Sequence, residues 1–205
     1  MLDRYAIAAL KPALERVARA LVRAGIGADT VSWAGFAIGL AGAFAITQQR
    51  YLAGLALLLA SRLADGLDGA VARLTQPTDR GAFLDITLDF LFYASIPLAF
   101  AVADPAANAL PAAVLLAAFV GTASGFLAFA VMAERRGLAS ADYPAKGLYY
   151  LGGLTEATET LACFALMCLW PQHFAVFAFI FAALCALTTL TRLWAGWSVF
   201  SEPRS

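Results

Sequence analysis

Five aspartates and two arginines lie in one stretch of the chain, DGLDGAVARLTQPTDRGAFLDITLDF, which runs from Asp65 to Phe90. The sequence on either side is apolar, so the carboxylates lie where an ionised side chain is costly. Aspartates in such a place can be protonated, can pair with arginine, or can bind hard divalent cations through their oxygens. The stretch therefore predicts a site of unusual chemistry.

The spacing of four aspartates is symmetric about the turn that separates them. Asp65 lies twelve residues before Pro77 and Asp89 twelve after it, while Asp68 and Asp85 lie nine before and eight after. If the two segments form an antiparallel helical hairpin, spacings of three and four residues place each pair on one helix face. The four carboxylates then meet at two matched depths. Two Mg²⁺ or Mn²⁺ ions shared by them would neutralise the cluster and still attract a diphosphate.

Small residues share the aspartate faces of this hairpin. Gly69 and Ala72 follow the first aspartate pair, and Gly81 lies one turn before the second pair. They leave room for a flat ligand to approach the backbone, and Arg73 can supply a positive charge for phosphate oxygens. Asp79 falls in the turn outside this register, and we assign it no catalytic role.

A general base at this site is expected to be a carboxylate. The only histidine, His173, lies in a loop expected on the opposite side of the membrane. Asp89, the last aspartate of the series and among the deepest, is the best candidate, although a glutamate from elsewhere remains an alternative. Salt bridges that merely hold the hairpin are the weaker interpretation, since only three arginines lie close in sequence: Arg62, Arg73 and Arg80.

The composition indicates that the elements holding these residues are membrane helices. The chain has 205 residues, of which 62% are hydrophobic and 14% charged, against roughly 25% charged in soluble domains. A span needs about 20 apolar residues. Six runs qualify: 29–48, 51–74, 81–103, 109–133, 154–171 and 173–199. We expect an all-α integral membrane protein, a six-transmembrane-helix bundle with an N-terminal amphipathic interfacial helix.

The expected interfacial helix is the segment PALERVARALVRAG. Leu14, Val17 and Leu21 fall on one stripe, with charged residues, mostly arginine, opposite. This pattern is typical of a helix that lies on anionic lipid; a helix packed on other protein is the alternative. The expected organisation is a single domain, 1–205, made of the interfacial helix, 1–27, and the six-helix bundle, 28–200.

The distribution of basic residues predicts the orientation. Six spans put both termini on one side, and Arg50 is then the one basic residue of 14 that falls on the other side. Lysine and arginine concentrate on the cytoplasmic side of membrane proteins. We therefore expect both termini and the aspartate hairpin on the cytoplasmic face of a membrane of the bacterial inner-membrane type.

The hairpin motif resembles that of the CDP-alcohol phosphotransferase (CDP-alcohol phosphatidyltransferase) family, D-x2-D-G-x2-A-R-x8-G-x3-D-x3-D. All eight motif residues are present, and the longest spacer is one residue shorter, which predicts a tighter turn around Pro77. The first span departs from the family's frequent P-N-x-V-T-x-x-G, because it reads ADTVSWAG, with Ala28, Asp29 and Ser32 in place of Pro, Asn and Thr.

The resemblance implies a reaction and a set of residues that carry it. Asp65, Asp68, Asp85 and Asp89 would ligate two divalent ions, and Asp89 would also activate the acceptor hydroxyl. That oxygen would attack the phosphorus that bears the lipid, and CMP would leave. The residues implied in binding the nucleotide and diphosphate are Gly69, Ala72, Arg73, Gly81 and Ser32. The implied partners are CDP-diacylglycerol, a small alcohol, membrane lipid and a second copy of the chain; no nucleic acid is expected.

Basic residues near the ends of the later spans are candidates for binding the acceptor. Arg135, Arg136, Lys146 and Arg192 are expected on the cytoplasmic side, where they would suit a phosphorylated alcohol. Membrane topology alone also explains the positions of Arg135 and Arg136.

Two glutamates favour a different acceptor. Glu156 and Glu159 share a helix face near the start of the fifth span, where they could bind polyol hydroxyls or an amine, or pair with basic residues. The acceptor therefore stays open. Two other functions also stay open: a CDP-choline or CDP-ethanolamine type of phosphotransferase acting on diacylglycerol, and a divalent-cation transporter whose aspartates form the permeation site.

Overall fold

A computed structural model describes residues 3–137 and 155–201, and the described chain consists of α-helices and one 3₁₀ turn. This confirms the all-α class, and a helix lies at each of the six expected spans. The helices are α1 (Asp3–Arg23), α2 (Ala28–Thr47), α3 (Tyr51–Leu74), α4 (Asp79–Ala103), α5 (Pro105–Arg135), α6 (Ala157–Leu169) and α7 (Phe174–Phe200), with the 3₁₀ turn at Pro171–His173.

Four of these segments are long and apolar enough to cross a membrane, namely α2, α4, α5 and the segment Pro171–Phe200. The helix α3 carries the charged motif, and the 13 described residues of α6 are fewer than the roughly 20 of a full span. Four of the six expected spans are therefore candidate membrane spans by length and composition, and the count of six stays a prediction.

Polar side chains cap the starts of α4 and α5, at the two ends of α4 where the chain reverses. The hydroxyl of Thr78 accepts a hydrogen bond from the backbone N–H of Gly81 at 3.0 Å, so α4 begins directly after the short turn 75–78. At the other end, the carboxylate of Asp104 accepts from the N–H of Ala107 at 3.1 Å. Such caps satisfy backbone groups that a helix end leaves unpaired. They fix where the second half of the aspartate hairpin starts and stops.

Glycines let α2 approach α3 and α4 closely. A Cβ built on Gly39 would lie 2.6 Å from a ring carbon of Phe92 on α4 and 2.8 Å from the Ser61 hydroxyl on α3. A Cβ on Gly54 of α3 would lie 2.6 Å from Ile46 of α2. Small residues at helix interfaces are the usual means of close packing in membranes. The helix α2 therefore supports both halves of the hairpin.

Stacked aromatic rings close the end of the bundle that lies away from the α3–α4 turn. Phe100, near the end of α4, stacks on Tyr51 at the start of α3 and on Phe174 at the start of α7, with ring centroids 5.6 and 4.6 Å apart. Phe100 and Phe174 are fully buried. This apolar core fixes the antiparallel register of α3 and α4, which decides which aspartates face one another.

The apolar stripe of α1 packs largely on protein. Leu14 and Leu21 contact a small core that includes Ala70 and Val71 of α3, whereas Val17 is 49% exposed. The helix predicted for this segment is present, but this packing does not confirm that it lies on lipid. The helix α1 therefore covers one face of α3, the helix that carries the first half of the motif.

Candidate active site

Three carboxylates converge between α3 and α4. Asp65, Asp68 and Asp85 each offer an oxygen atom, and these oxygens lie within 4.8 Å of one another. Asp68 is buried at 7% exposure, Asp65 is half-buried and Asp85 is exposed. Oxygen-only ligands in such a group are what hard divalent cations prefer. The cluster therefore could hold a metal ion, and it joins residues from both halves of the hairpin as the spacing predicts.

The fourth aspartate adjoins this group through an arginine. Asp89 accepts a hydrogen bond at its Oδ1 from Nη1 of Arg62, 2.5 Å away, and the same nitrogen lies 3.6 Å from Oδ1 of Asp65. Asp65 and Asp89, expected to face each other at one depth, thus share a counter-ion. The sequence indicates Arg62 only as a possible salt-bridge partner of the hairpin aspartates. The available signal was its position three residues before Asp65, which puts both on one face of α3.

The shared arginine is held between aromatic rings. Its guanidinium carbon lies 3.8 Å from the centroid of the Phe92 ring and 5.6 Å from that of Tyr93. Only 14% of the Arg62 side chain is exposed. Stacking on an aromatic face and the low exposure restrict the guanidinium to the position in which it meets the two carboxylates.

Ser32 of α2 orients the most buried carboxylate. Its hydroxyl donates to Oδ2 of Asp68 at 2.5 Å and also lies 3.2 Å from the carbonyl oxygen of Ala28. Ser32, with Gly35 and Phe36, lines the α2 side of a small cavity whose other walls carry the three clustered aspartates and Arg62. Ser32, which is predicted to bind the nucleotide, therefore also contacts a carboxylate of the cluster.

The small residues of the motif lie within one turn of the clustered aspartates along α3 and α4. A Cβ built on Gly69 would lie 3.3 Å from Nη1 of Arg73, so this exposed guanidinium reaches over the glycine. A Cβ on Gly81 would lie 3.2 Å from the Thr78 hydroxyl. Ala72 is half-buried. The surface next to the aspartates is thus shallow, and the guanidinium of Arg73 lies over it.

An ion pair that sequence reasoning missed joins the first turns of α2 and α4. Asp29 and Arg80 meet at 2.5 Å, with the carboxylate 28% and the guanidinium 78% exposed. A Cβ on Gly81 would lie 3.6 Å from Oδ1 of Asp29, so the pair borders the glycine predicted to contact the nucleotide. The signal in the sequence was Asp29 itself, which stands where the resembling family often has Asn.

Two of the basic residues proposed for the acceptor hydrogen-bond to backbone carbonyl groups of neighbouring helices. Arg136 donates to the carbonyl oxygens of Val199 and Phe200, at 3.1 and 3.0 Å, at the end of α7. Arg192 donates to the carbonyl oxygen of Thr122 at 3.0 Å. The other two are Arg135, exposed at the end of α5, and Lys146, which lies outside the described residues.

The two glutamates proposed for the acceptor lie at the start of α6. The carboxylate of Glu159 accepts from the backbone N–H of Glu156 at 3.3 Å, and the carbonyl of Glu156 accepts from the Thr160 hydroxyl at 2.8 Å. Glu159 thus contributes to capping α6. The i, i+3 spacing that predicts a shared face for binding also suits this cap.

Comparison with known proteins places this geometry in a family. The family model described as CDP-alcohol phosphatidyltransferase matches residues 26–197, which include the whole aspartate hairpin. Inner membrane protein YnjF of Escherichia coli is 50% identical over 197 residues, 96% of each chain. Archaetidylinositol phosphate synthase of Pyrococcus horikoshii is 39% identical over 89 residues, 42% of this chain and 47% of its own.

Solved structures share the fold over most of the chain. Phosphatidylinositol phosphate synthase (PgsA1) of Mycobacterium tuberculosis, crystallised with CDP-DAG bound, superposes with a TM-score of 0.67 at 24% identity, covering 90% of this chain and 93% of that one. The same enzyme in complex with manganese and citrate gives a TM-score of 0.65 at 25% identity, covering 90% and 88%. Together with the apolar helices, the inner-membrane relative indicates that this chain is an integral membrane protein.

Proposed function

The chain belongs to the CDP-alcohol phosphatidyltransferase family, and from this we propose that it transfers a phosphatidyl group from CDP-diacylglycerol to a small alcohol or polyol, releasing CMP. The observation that carries the proposal is the meeting of Asp65, Asp68 and Asp85 beside Asp89 in one hairpin. All four are residues of the family motif.

The donor would bind over the shallow surface of the hairpin. Gly69, Ala72 and Gly81 leave space for the cytidine, and the guanidinium of Arg73 can contact the diphosphate. Ser32 would act on the same ligand and, through its hydrogen bond, keep Asp68 oriented. The lipid chains of the donor can reach this surface from the side, because the hairpin lies in a bundle of apolar helices.

The four aspartates would hold the divalent cations that the chemistry requires. The three clustered carboxylates fit an ion such as Mg²⁺ or Mn²⁺, and we propose two ions, with Asp89 contributing to the second. Cations bound there supply electrostatic stabilisation of charge that develops on the phosphate of the departing CMP. The complex of PgsA1 with manganese supports this choice of ions.

In the proposed reaction Asp89 accepts a proton, and the acceptor oxygen forms the new bond to phosphorus. The ion pair with Arg62 uses Oδ1 of Asp89, so Oδ2 is the atom proposed to take the proton from the acceptor hydroxyl. The deprotonated oxygen then forms a bond to the phosphorus that bears the lipid. The bond from that phosphorus to the bridging oxygen breaks, and the electron pair leaves with CMP.

A phosphorylated polyol is the first acceptor to test. Two archaeal relatives are archaetidylinositol phosphate synthases and the structural neighbour is a phosphatidylinositol phosphate synthase, which supports such an acceptor. Arg135 and Lys146 are the first candidates for its phosphate; Arg136, Arg192, Glu156 and Glu159 are retained at lower rank because each takes part in the hydrogen bonds with backbone groups described above.

The test is a panel of radiolabelled acceptors offered to the purified protein with CDP-diacylglycerol and Mn²⁺ or Mg²⁺. We expect CMP release and labelled lipid with one acceptor, and loss of both in EDTA. Lipid labelled only from CDP-choline and diacylglycerol would replace the proposal with the reverse arrangement of donor and acceptor. Mn²⁺ uptake into proteoliposomes without CMP release would indicate a transporter.

We also propose that residues 1–205 form one domain, that both termini and the aspartate hairpin face the cytoplasm, and that the chain is a homodimer. The concentration of basic residues at that end supports the orientation. Single cysteines introduced at Arg50 and at Gln76 distinguish the two faces by reaction with an impermeant maleimide in whole cells, because the three native cysteines are buried. Labelling at position 76 rather than 50 would refute the orientation.

A further inference from the structure

Arg62 connects the two helices of the hairpin at the depth of Asp89. One nitrogen of its guanidinium lies 2.5 Å from Asp89 of α4 and 3.6 Å from Asp65 of α3. Like-charged carboxylates at this depth repel one another, and a single cation between them removes most of that repulsion. Arg62 therefore places a fixed positive charge between the two carboxylates.

The surroundings of Arg62 hold its guanidinium in one position. The guanidinium stacks on Phe92, and its second terminal nitrogen lies 3.4 Å from the Ser61 hydroxyl. Its Nε is buried and has no hydrogen-bond partner among the residues that the structure describes. Burial of a guanidinium with an unsatisfied N–H costs desolvation free energy, and its contacts with the two carboxylates must offset that cost. Its placement is therefore better explained by what it does to the carboxylates.

We propose that Arg62 is a positioning residue that holds Oδ1 of Asp89, so that Oδ2 points toward the acceptor hydroxyl and the clustered aspartates. As a fixed cation, it also lets the carboxylates of Asp65 and Asp89 lie close together. The first part rests on the proposed function, in which Asp89 is the base; the second part concerns the protein alone.

The chemistry of the side chain makes arginine the suitable residue here. A planar guanidinium can stack on Phe92 and still reach both carboxylates, whereas a lysine ammonium is a compact charge on a flexible stem. Lysine at this position would keep the charge and lose the fixed direction. The variants Arg62→Lys and Arg62→Gln therefore separate charge from orientation.

The first experiment measures stability and needs no substrate. Thermal unfolding is followed in EDTA for the parent, Arg62→Gln, Asp89→Asn and the double variant, with Arg50→Gln at the opposite end of α3 as matched control. We expect Arg62→Gln to lower the Tm by at least about 4 °C, and most of this loss to vanish in the Asp89→Asn background, where the carboxylate is gone. Equal losses in both backgrounds would overturn the pairing.

The second experiment measures catalysis by correctly folded protein. We expect Arg62→Gln to lower kcat by about 10²-fold while the KM for CDP-diacylglycerol changes less than about threefold, and Arg62→Lys to recover part of kcat. Added to Asp89→Asn, Arg62→Gln should cost less than about threefold more, because the two residues act as one unit. If Arg62→Gln does not fold, Arg62→Lys decides: a kcat equal to that of the parent refutes the positioning role. Absence of CMP release by the parent would refute the proposed function, while the unfolding cycle would still decide whether Arg62 and Asp89 are paired.

Discussion

The α3–α4 hairpin and the ends of α5, α6 and α7 both carry charged residues that the sequence marks as candidates for binding, but the structure uses them differently. In the hairpin, charged side chains meet one another: three carboxylates converge, and Arg62 joins the fourth. At the other helix ends, charged side chains meet the backbone, since Arg136 binds carbonyl groups of α7 and Glu159 binds an N–H of α6.

The difference shows which charges indicate function. Helix ends leave backbone groups unpaired, and a nearby charged side chain satisfies them at little cost. Several carboxylates brought together between helices gain no such benefit and repel one another, so their convergence requires a ligand or counter-ion. Charged residues within a helix that meet a charged partner across a hairpin are therefore a stronger indication of a functional site than charged residues at helix ends.

The largest effect is expected from removing a carboxylate of the cluster. Asp68→Asn keeps the shape but removes the charge of the most buried member, which Ser32 orients. We expect CMP release to fall by at least about 10³-fold, the scale of losing an electrostatic element of a catalytic site. Asp79→Asn, in the same stretch but at the exposed start of α4, is the matched control. Its rate of CMP release in the same assay should stay within about twofold of that of the parent. Comparable losses in both variants would remove the distinction between cluster and surface aspartates.

A smaller effect is expected from filling the shallow surface beside the cluster. In Gly69→Ala, the new Cβ would lie 3.3 Å from Nη1 of Arg73, the flexible end of an exposed side chain, so the fold tolerates it. Alanine also favours the helix by up to about 1 kcal/mol. We expect an unchanged or raised Tm and a roughly tenfold higher KM for CDP-diacylglycerol, equivalent to about 1.4 kcal/mol.

Gly66→Ala provides the control for this prediction. The same methyl group, placed on the side of α3 that faces α1, would lie 3.3 Å from the end of the Leu14 side chain. Its KM should match that of the parent. A raised KM in Gly66→Ala as well would mean that any added side chain on α3 disturbs the site.

The fold was largely predictable because hydrophobic runs and turn residues define helices locally. The run 51–74 coincides with α3, and the run 29–48 is shifted by one residue from α2. The convergence of Asp65, Asp68 and Asp85 was also predictable, since periodicity and distance from Pro77 determine it. These features depend on spacing within one or two neighbouring helices.

Contacts that depend on rotamers and on a third helix were not predictable. Arg62 reaches Asp89 because it stacks on Phe92, and Ser32 reaches Asp68 because glycines bring α2 close to the hairpin. The contacts of Arg136 depend on tertiary structure in a related way: its position at the end of a span is predictable, but the carbonyl groups that it binds depend on where α7 ends. Residue spacing predicts on which face of a helix a side chain lies, but it does not predict which residue a long side chain contacts.

The hydrogen bond from α2 to the cluster should have a moderate effect when removed. Ser32→Ala deletes the donor to Asp68, and hydrogen bonds to charged groups contribute about 1.5–3 kcal/mol. Part of this will be replaced by water at a half-buried position, so we expect kcat to fall by about fivefold, equivalent to about 1 kcal/mol. Ser32→Thr, which keeps the hydroxyl, should retain most activity. Equal loss in both variants would show that the size of the residue, and not the donor, is what matters.

The smallest effect on activity is expected at the helix end that sequence reasoning assigned to the acceptor. Arg136→Gln removes two hydrogen bonds to the carbonyl groups of Val199 and Phe200 and the stacking of the guanidinium 5.3 Å from the Phe200 ring. We expect the free energy of unfolding to fall by about 1 kcal/mol, and kcat and the KM of the acceptor to change less than about twofold, because a helix end contributes stability and not chemistry. Arg135→Gln, one residue earlier and exposed, should leave the free energy of unfolding unchanged. If Arg136→Gln instead raised the acceptor KM tenfold at unchanged stability, the end of α7 would belong to the binding site, and the contrast between the two regions would fail there.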